Sequence, residues 1–370
     1  MRKIWTLDWI LIFASALIFG SGLLALYSLS TAENTLSINP FTRQIAFAII
    51  AIAALSFFAF FDYAYLRAYS TVLYFATIAF LAGVLLWGAT VRGTAGWLAI
   101  GPVHIQPVEF SKIFLIVFLA HFLASKREKL GVIMTIIASF VFTLIAVVFV
   151  LLQPDAGSAM ILLGVWAGMT FVSGIPRKYL LTLLLIGIVT VASTWFFLAP
   201  YQRQRLITVV QPENDPRGAG YNAIQSMIAV GAGGFFGKGI GHGTQSQLNF
   251  LPEQHTDFVF AVITEESGLL GAIILLTLFF IVLYRLRVIA QSAKDHFGYF
   301  LVVGIMVMFF LQIFVNIGMN VGIFPVTGIP LPLVSYGGSS LVSVSIALGI
   351  ALNVYRCRRS TSQMRIIESY

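Results

Sequence analysis

The sequence predicts an all-α membrane protein, a polytopic bundle of about ten transmembrane helices. Of its 370 residues, 59% are hydrophobic and 10% are charged, and the mean hydropathy is +0.94. A soluble domain carries about 25% charged residues, so an ordinary soluble domain is excluded. Apolar runs of about 17 to 25 residues recur along the chain, and each is long enough to cross a bilayer as a helix. We therefore predict a single integral membrane domain that covers residues 1–370.

The apolar runs, taken in chain order, define the predicted spans. The first run follows Arg2 and Lys3, and because further spans follow it, we expect an uncleaved span rather than a signal peptide. The largest polar connection, about residues 199–256, is an outer loop between spans seven and eight. The ten spans are predicted at about residues 8–29, 42–61, 70–88, 108–125, 131–152, 157–174, 179–198, 257–284, 298–319 and 335–355.

The distribution of basic residues predicts the orientation of these spans. With both termini in the cytoplasm, most of the 22 Lys and Arg residues fall on the cytoplasmic side, as the positive-inside rule requires. The net charge of +8 therefore reflects topology and does not indicate a nucleic-acid partner. Topology does not require the basic residues that remain on the outer side, which are Arg43, Arg92, Lys112, Arg203, Arg205, Arg217 and Lys238.

The outer loop has the composition of an ordered segment, and a loop of this length in a compact bundle is usually functional. Tyr221 to Val230 carries apolar residues at helical spacing, which predicts a helix lying in the membrane interface. The glycine-rich run Gly231 to Gly243 is not a phosphate-binding P-loop, because no Ser or Thr follows its lysine and no strand precedes it. We expect this run to lie near substrate or lipid headgroups, with Lys238 as a candidate phosphate ligand.

Asp257 is the candidate catalytic residue, because it lies where the outer loop turns into span eight. A charged group near hydrocarbon costs about 2.5 to 3.5 kcal/mol even on the lenient insertion scale, so we expect this carboxylate to have a use. Thr256 is predicted to cap the helix, which puts Asp257 in its first turn. Two interpretations stay open: an acid that stabilises the helix start through the helix dipole, and a general base in an outward-facing cleft.

Two further acids, Glu265 and Glu266, lie deeper in span eight. On an uninterrupted helix, Glu265 lies about 80° from Asp257 around the axis and can face the same cleft, whereas Glu266 lies about 180° away. We expect at least one of them to be a structural partner of a cation or a backbone group. A chemical role is the alternative.

Polar groups at the outer ends of spans four and six are further candidates. Glu109 and Lys112, at i and i+3, are predicted to form an ion pair, because an unpaired ion within the membrane costs far more than a paired one. The alternative is that Lys112 reaches a substrate phosphate together with Arg92. Asp155 either caps span six or pairs with one of the outlying cations.

The remaining candidates lie beside spans seven and ten. Arg203 and Arg205 either meet lipid headgroups or bind an anionic lipid-linked substrate. Ser335 and Ser339 open span ten, where they form either an ordinary helix cap or an anion site. The histidine spacings match no metal-ligand set, so any divalent cation, Mg²⁺ or Mn²⁺, is expected to bridge substrate phosphates and carboxylates.

Several segments together resemble the SEDS family of cell shape and division proteins, which includes RodA and FtsW. The resemblance runs from the first span to the last, and the segments GTQSQLNFLPE and YQRQR are more similar to RodA than to FtsW. Its most specific segments are RGTAGWLAIGPVHIQPVEFSK, QPDAGSAMI, YQRQRLITVVQPENDPRGAGYNAIQS, GKGIGHGTQSQLNFLPEQHTDFVFAVITEESGLLG and FPVTGIPLPLVSYGGSS.

The resemblance implies a peptidoglycan glycosyltransferase of the bacterial cytoplasmic membrane. Such an enzyme polymerises lipid II into glycan strands during elongation, with undecaprenyl diphosphate as the leaving group. The implied partners are a class B penicillin-binding protein, which crosslinks the strands, and other membrane proteins of the elongation complex. The resemblance also matches Asp257 to the essential aspartate of the family, Glu109 and Lys112 to its buried ion pair, and Arg92 to an arginine near its cavity.

This chemistry suits the candidate residues. A carboxylate at the membrane surface takes the proton of an acceptor hydroxyl as it attacks the anomeric carbon of the donor, and outer-side cations stabilise the departing diphosphate. Two other hypotheses stay open. A flippase or transporter of the lipid-linked precursor would use intramembrane charges such as Glu109, Lys112 and Glu266, and a noncatalytic scaffold would need none of them.

Overall fold

A computed structural model describes residues 7–32, 39–91, 94–101, 103–126, 133–174, 179, 211–214, 218–248 and 250–358. Within these ranges the protein is a bundle of long helices with one small β-sheet. The helices are α1 (Trp9–Ala32), α2 (Pro40–Phe60), α3 (Tyr63–Ala68), α4 (Ser70–Trp87), α5 (Pro107–Ser125), α6 (Ile133–Leu152), α7 (Ala156–Val172), α8 (Ala219–Ala232), α9 (Thr244–Gln247), α10 (Val259–Gln291), α11 (His296–Asn320) and α12 (Gly338–Arg356).

The predicted fold class is confirmed. In the described part of the chain, 8 helices are long and apolar enough to cross a membrane, and α7 is a shorter apolar helix. Together they correspond to predicted spans one to six and eight to ten. The largest difference is in span eight, which continues to Gln291 instead of ending near residue 284. Predicted span seven, about residues 179–198, lies outside the described residues except for Tyr179.

Helices α5, α11 and α12 form the centre of the bundle. In the most apolar 18-residue stretch of each helix, the buried share is 67% for α5, 67% for α11 and 72% for α12. The corresponding share is 22% for α2 and 28% for α4. Helix α5 packs against α4, α7 and α11, whereas α12 packs mainly on α2, and α10 packs on α1 and α11. Large apolar side chains on the outer helices, such as Ile49 and Phe75, are exposed, as expected for helices that face lipid.

A small antiparallel sheet connects α4 to α5, and the sequence analysis did not predict it. Its strands are β1 (Ala89–Val91), β2 (Thr94–Ile100) and β3 (Val103–Ile105), in the order β1-β2-β3. Ala99 lies opposite His104 in the β2–β3 pair. The sheet leads directly into α5, which begins at Pro107.

Helix α8 confirms the predicted helix from Tyr221 to Val230. Its buried face packs against α10 and α11, and the hydroxyl of Ser226 donates to the carbonyl of Asn320 at 2.9 Å. Met227 and Ile228 lie on its exposed face. The helix is therefore amphipathic, with one apolar side left for the membrane or a partner.

Helix α10 is broken at Gly268, which has φ 66° and ψ −165°. A Cβ at this position would lie 2.3 Å from the backbone nitrogen of Gly237, so only glycine fits. The glycine-rich loop inserts its backbone at this point and replaces two steps of the helical hydrogen-bond ladder. The N–H groups of Leu269 and Leu270 donate to Gly234 and Phe235, while Lys238 and Gly239 donate to the carbonyls of Glu265 and Glu266.

Candidate active site

Asp257 lies in a turn just before α10, at the end of the bundle where α5, α7, α10 and α12 begin, which we call the Asp257 end. Its N–H donates to the carbonyl of Glu253 at 3.1 Å, and its side chain is half-buried. Helix α10 begins at Val259, and its N-cap residue Phe258 makes no side-chain cap. The predictions that Thr256 caps this helix and that Asp257 lies in its first turn are wrong, because the Thr256 hydroxyl bonds to Glu253 instead.

Two asparagines of α11 hold the main chain at Asp257. The amide nitrogen of Asn316 donates to the carbonyl of Asp257 at 3.0 Å and to that of Ile329 at 2.8 Å. The amide nitrogen of Asn320 donates to the same Asp257 carbonyl at 3.1 Å. Both asparagines are fully buried. Sequence reasoning missed them, although two amides at i and i+4 in an apolar helix are a signal of function within a membrane.

The carboxylate of Asp257 faces the segment that contains Gly328. A Cβ on Gly328 would stand 3.7 Å from Oδ2 of Asp257, which is van der Waals contact. Gly328 has φ 72°, in the left-handed region that residues with a side chain rarely adopt. A glycine here therefore provides both the turn and the open space beside the carboxylate. Sequence pattern alone gives no signal for the role of this glycine.

Ser335 and Ser339 both bind protein groups at the Asp257 end. The Ser335 hydroxyl donates to the carbonyl of Thr256 at 2.5 Å and accepts the N–H of Leu331 at 2.8 Å. The hydroxyl of Ser339 accepts the N–H of Gln106 at 3.0 Å. Span ten begins at Gly338 rather than residue 335, so Ser335 lies in the preceding turn. The two serines therefore connect segments around Asp257, and Ser335 uses its hydroxyl proton in doing so, whereas Ser339 acts only as an acceptor in its bond.

Glu109 and Lys112 form the predicted ion pair. Nζ of Lys112 lies 2.7 Å from Oε1 of Glu109, and both side chains are 2% exposed. The hydroxyl of Ser343 donates to the other Glu109 oxygen at 3.3 Å. Because the ammonium is buried and paired, it does not reach an outward-facing cleft in this structure. The alternative in which Lys112 contacts a substrate phosphate would require it to leave Glu109.

Asp155 caps the helix that corresponds to span six, as one of its two interpretations predicted. Its carboxylate accepts the N–H of Ser158 at 2.9 Å and the hydroxyl of Ser158 at 2.7 Å. Burial holds the pKa of the Asp155 carboxyl above its ordinary value, against the opposing effects of these hydrogen bonds and of the Lys112 charge. Asp155 and Lys112 are thus electrostatic neighbours without a direct ion pair.

Glu265 and Glu266 bind the glycine-rich loop. Glu265 is fully buried, and its carboxylate accepts the N–H groups of Gln245 and Ser246 at 2.9 and 3.1 Å. It also pairs with Nζ of Lys238 at 3.2 Å. The carboxylate of Glu266 accepts the hydroxyl of Ser28 and the N–H of Gly241. The expectation of a structural partner is confirmed. Glu265, which could have faced the same cleft as Asp257, is instead fully buried and bound to backbone groups.

Four cations were predicted as phosphate ligands in addition to Lys112. Arg92, Arg203 and Arg205 lie outside the described residues. Lys238 is within them, and its Nζ donates to the hydroxyl of Thr244 at 2.6 Å in addition to pairing with Glu265. Among the residues that the structure describes, no group of three or more His, Cys, Asp or Glu side chains could hold a metal ion.

Comparison with known proteins supplies a family. The model of the cell cycle protein family of FtsW, RodA and SpoVE matches residues 8–360. The chain is 41% identical over 297 residues to the peptidoglycan glycosyltransferase MrdB of Escherichia coli K12, covering 79% of each chain. It is also 37% identical over 363 residues to stage V sporulation protein E of Bacillus subtilis 168, covering 95% of this chain and 98% of that one.

Two solved structures share the fold. One is a chain of a peptidoglycan synthase complex that coordinates polymerization and crosslinking, with a TM-score of 0.81 and 31% identity over 95% of this chain and 98% of that one. The other is the rod shape determining protein RodA of Thermus thermophilus, with a TM-score of 0.70 and 29% identity over 96% and 98% of the two chains. The likeness extends over nearly the whole chain.

Proposed function

This chain belongs to the FtsW/RodA/SpoVE family of cell cycle proteins, and from that membership we propose that it is a peptidoglycan glycosyltransferase that uses Asp257 to accept a proton. It joins the sugar units of lipid II into glycan strands. It is a multi-pass membrane protein. The likeness to the rod shape determining protein RodA of Thermus thermophilus supports a role in elongation and shape maintenance.

One observation carries the role of Asp257: its backbone is fixed while its side chain remains half-exposed. A general base must lie within hydrogen-bond reach of the proton it removes, so it needs access to substrate and a defined position. In the described part of the Asp257 end, Glu109 is buried in an ion pair and Asp155 caps a helix. Asp257 therefore suits the role better than either neighbour.

The proposed reaction is a displacement at the anomeric carbon of the donor sugar. The acceptor hydroxyl oxygen forms the new glycosidic bond, and the bond from the anomeric carbon to the diphosphate oxygen breaks. The hydroxyl proton passes to the Asp257 carboxylate, and undecaprenyl diphosphate leaves with the bonding electrons. Removing this proton in the transition state contributes about 10²- to 10⁴-fold to the rate.

The leaving diphosphate needs positive charge. Arg92, Arg203, Arg205 and Lys238 are the proposed sources, with Ser335 and Ser339 as neutral candidates at the same end of the bundle. As the alternative role of Asp257, we propose that its carboxylate would hold a Mg²⁺ or Mn²⁺ ion beside the substrate diphosphate instead of accepting the proton. Carboxylate oxygen suits such hard cations, and the ion would supply charge to the leaving group. Loss of polymer on adding EDTA, with recovery on adding Mg²⁺, would support this.

The proposed partner is a class B penicillin-binding protein. The support is the structural neighbour from a peptidoglycan synthase complex, with a TM-score of 0.81. A transpeptidase bound to the same complex would crosslink the strand as it emerges. Further elongation-complex membrane proteins are proposed partners as well. We place the protein in the bacterial cytoplasmic membrane with both termini in the cytoplasm, which the distribution of basic residues supports.

Polymerisation of labelled lipid II tests the proposal. The wild type and Asp257→Ala, each purified and reconstituted with the penicillin-binding partner, are compared by separating the polymer from the monomer. We expect long strands from the wild type and none above background from Asp257→Ala. Normal polymer from the variant would reject the role of Asp257. Movement of labelled lipid II across vesicle membranes without polymer would instead favour a flippase.

A further inference from the structure

Asn316 and Asn320 act on Asp257 from another helix. They lie at i and i+4 on α11, so they point to one side of that helix. Both are 0% exposed, and both amide nitrogens donate to the carbonyl oxygen of Asp257, at 3.0 and 3.1 Å. Two donors on one carbonyl fix the position of the peptide bond that follows Asp257. A third bond connects the pair, from Nδ2 of Asn320 to the carbonyl of Asn316 at 2.8 Å.

Asn320 also caps α10. The first N–H groups of a helix have no partner within it, and the residue just before the helix usually supplies a side-chain oxygen. Phe258 occupies that position and has no such oxygen, so Oδ1 of Asn320 accepts the N–H of Ala261 at 3.1 Å. The cap therefore comes from α11. The Asp257 carboxylate is not the acceptor for this N–H group, although a nearby aspartate would be well suited to that task.

Asn316 connects the two sides of the candidate site. Its amide nitrogen donates to the carbonyl of Ile329 at 2.8 Å as well as to that of Asp257. Ile329 directly follows Gly328, whose α-carbon region faces Oδ2 of Asp257. One amide thus sets the spacing between the peptide that carries the carboxylate and the segment opposite it.

A simple packing role would explain buried amides equally well, and the chain contains such a case. Asn353 on α12 is also 0% exposed, and its side chain accepts the N–H of Tyr63 at 3.1 Å and donates to the carbonyl of Ala59 at 2.9 Å. Its partners lie at the opposite end of the bundle, about 22 Å along α12 from Gly338 at 1.5 Å per residue. Asn353 therefore matches Asn316 in burial and in bonding two backbone groups of other segments, and it differs in which segments those are.

We propose that Asn316 and Asn320 are positioning residues for glycosyl transfer, which hold the Asp257 carboxylate opposite Gly328 through its main chain. This inference rests on the proposed role of Asp257. Displacing a reacting group by about 1 Å can lower a rate about 100-fold, so a loose Asp257 main chain should slow turnover without weakening substrate binding. Asn320 contributes the additional cap, so its loss should also destabilise the start of α10.

The experiment compares Asn316→Ala and Asn316→Leu with Asn353→Ala. Each full-length variant is reconstituted with the penicillin-binding partner, and kcat and KM for labelled lipid II are measured beside the thermal unfolding midpoint. Leucine has the same number and branching of side-chain heavy atoms as asparagine, so Asn316→Leu leaves no large cavity and keeps the test usable if Asn316→Ala fails to fold. We expect both Asn316 variants to lower kcat by on the order of 10- to 100-fold, with KM within about twofold of wild type.

The control decides between positioning and packing. Asn353→Ala should lower the unfolding midpoint about as much as Asn316→Ala while leaving kcat within about twofold of wild type. Equal kcat losses in the Asn316 and Asn353 variants would overturn the inference. So would a normal kcat in Asn316→Leu when Asp257→Ala is inactive, and this outcome leaves the proposed function intact. Normal turnover in Asp257→Ala would instead remove the proposed function itself.

Discussion

Asp257 and the pair Glu265 and Glu266 are acids of one stretch of chain, yet the protein binds them in opposite ways. Asp257 is held by its main-chain carbonyl, and its carboxylate is half-buried beside Gly328. Glu265 is fully buried, and its carboxylate itself is the acceptor for two backbone N–H groups and the partner of Lys238. At Asp257, the bonds from α11 fix the main chain and do not use the carboxylate. At Glu265, the carboxylate itself holds the backbone of Gln245 and Ser246 and the ammonium of Lys238.

The comparison teaches how an acid close to a membrane can be given either role. A buried carboxylate costs several kcal/mol unless hydrogen bonds and a cation satisfy it, and Glu265 has both. Those bonds hold Lys238 and the segment after the glycine-rich run against α10. Asp257 avoids most of that cost by remaining at the surface of the bundle, where substrate can approach. Substitutions should therefore separate activity from stability at the two places.

The largest effect is expected from Asp257→Asn, which keeps the size of the side chain but removes the base. Polymerisation of lipid II should fall by about 10²- to 10⁴-fold, because the acceptor hydroxyl loses its proton acceptor. The unfolding midpoint should change by less than about 2 °C, since no buried bond of the main chain is lost. Asp295→Asn changes another partly exposed acid at the opposite end of the bundle, and should leave polymerisation unchanged. A similar loss in both variants would mean that Asp257 is structural.

The reverse pattern is expected from Glu265→Gln. The amide cannot satisfy both backbone N–H groups and Lys238 at once, so the free energy of unfolding should drop by about 2 to 4 kcal/mol. Turnover per folded molecule should stay within about twofold, because the carboxylate does not face the Asp257 site. Thermal and denaturant unfolding in detergent measure the free energy of unfolding. The measured turnover is divided by the fraction of molecules that are folded. Glu213→Gln, at an exposed acid of the same outer connection, is the control and should change stability by less than about 0.5 kcal/mol.

A smaller effect on both quantities is expected from Gly328→Ala, which tests the other wall of the site. Alanine at φ 72° costs about 1 to 2 kcal/mol of backbone strain, and its methyl group would stand beside the Asp257 carboxylate. Turnover should fall several-fold as the segment shifts. Gly174 has φ 86° with open space around it and lies at the other end of α7, so Gly174→Ala isolates the strain. If the two variants lose turnover equally, Gly328 has no specific relation to Asp257.

The sequence predicted the contacts between residues that lie close together along the chain. It did not predict those between distant residues. The ion pair of Glu109 and Lys112 and the cap at Asp155 follow from neighbours three residues apart, so spacing and the cost of buried charge were enough. The spans followed from apolar length alone. These predictions needed no knowledge of how the helices pack.

The parts that failed depend on tertiary contacts. Thr256 was predicted to cap α10 from local sequence, but the cap comes from Asn320, 59 residues beyond Ala261. The break at Gly268 depends on a loop that inserts its backbone from outside the helix. The helical periodicity of the sequence does not indicate either contact, because both are made between segments that become neighbours only after the bundle assembles.

The smallest effect is expected from Lys238→Met, and it sharpens the contrast between binding and structure. Its ammonium is 29% exposed and contacts Glu265 and Thr244, so it supports the Glu265 region. Without the lysine, the buried Glu265 carboxylate still accepts the N–H groups of Gln245 and Ser246, so the unfolding midpoint should fall less than in Glu265→Gln. If the ammonium stays with Glu265 during turnover, KM for lipid II is unchanged. Arg43→Met, at an exposed arginine near the start of α2, controls for the loss of one positive charge. A KM raised more than about threefold by Lys238→Met alone would show that the lysine leaves Glu265 for the diphosphate, which would join the two regions into one site.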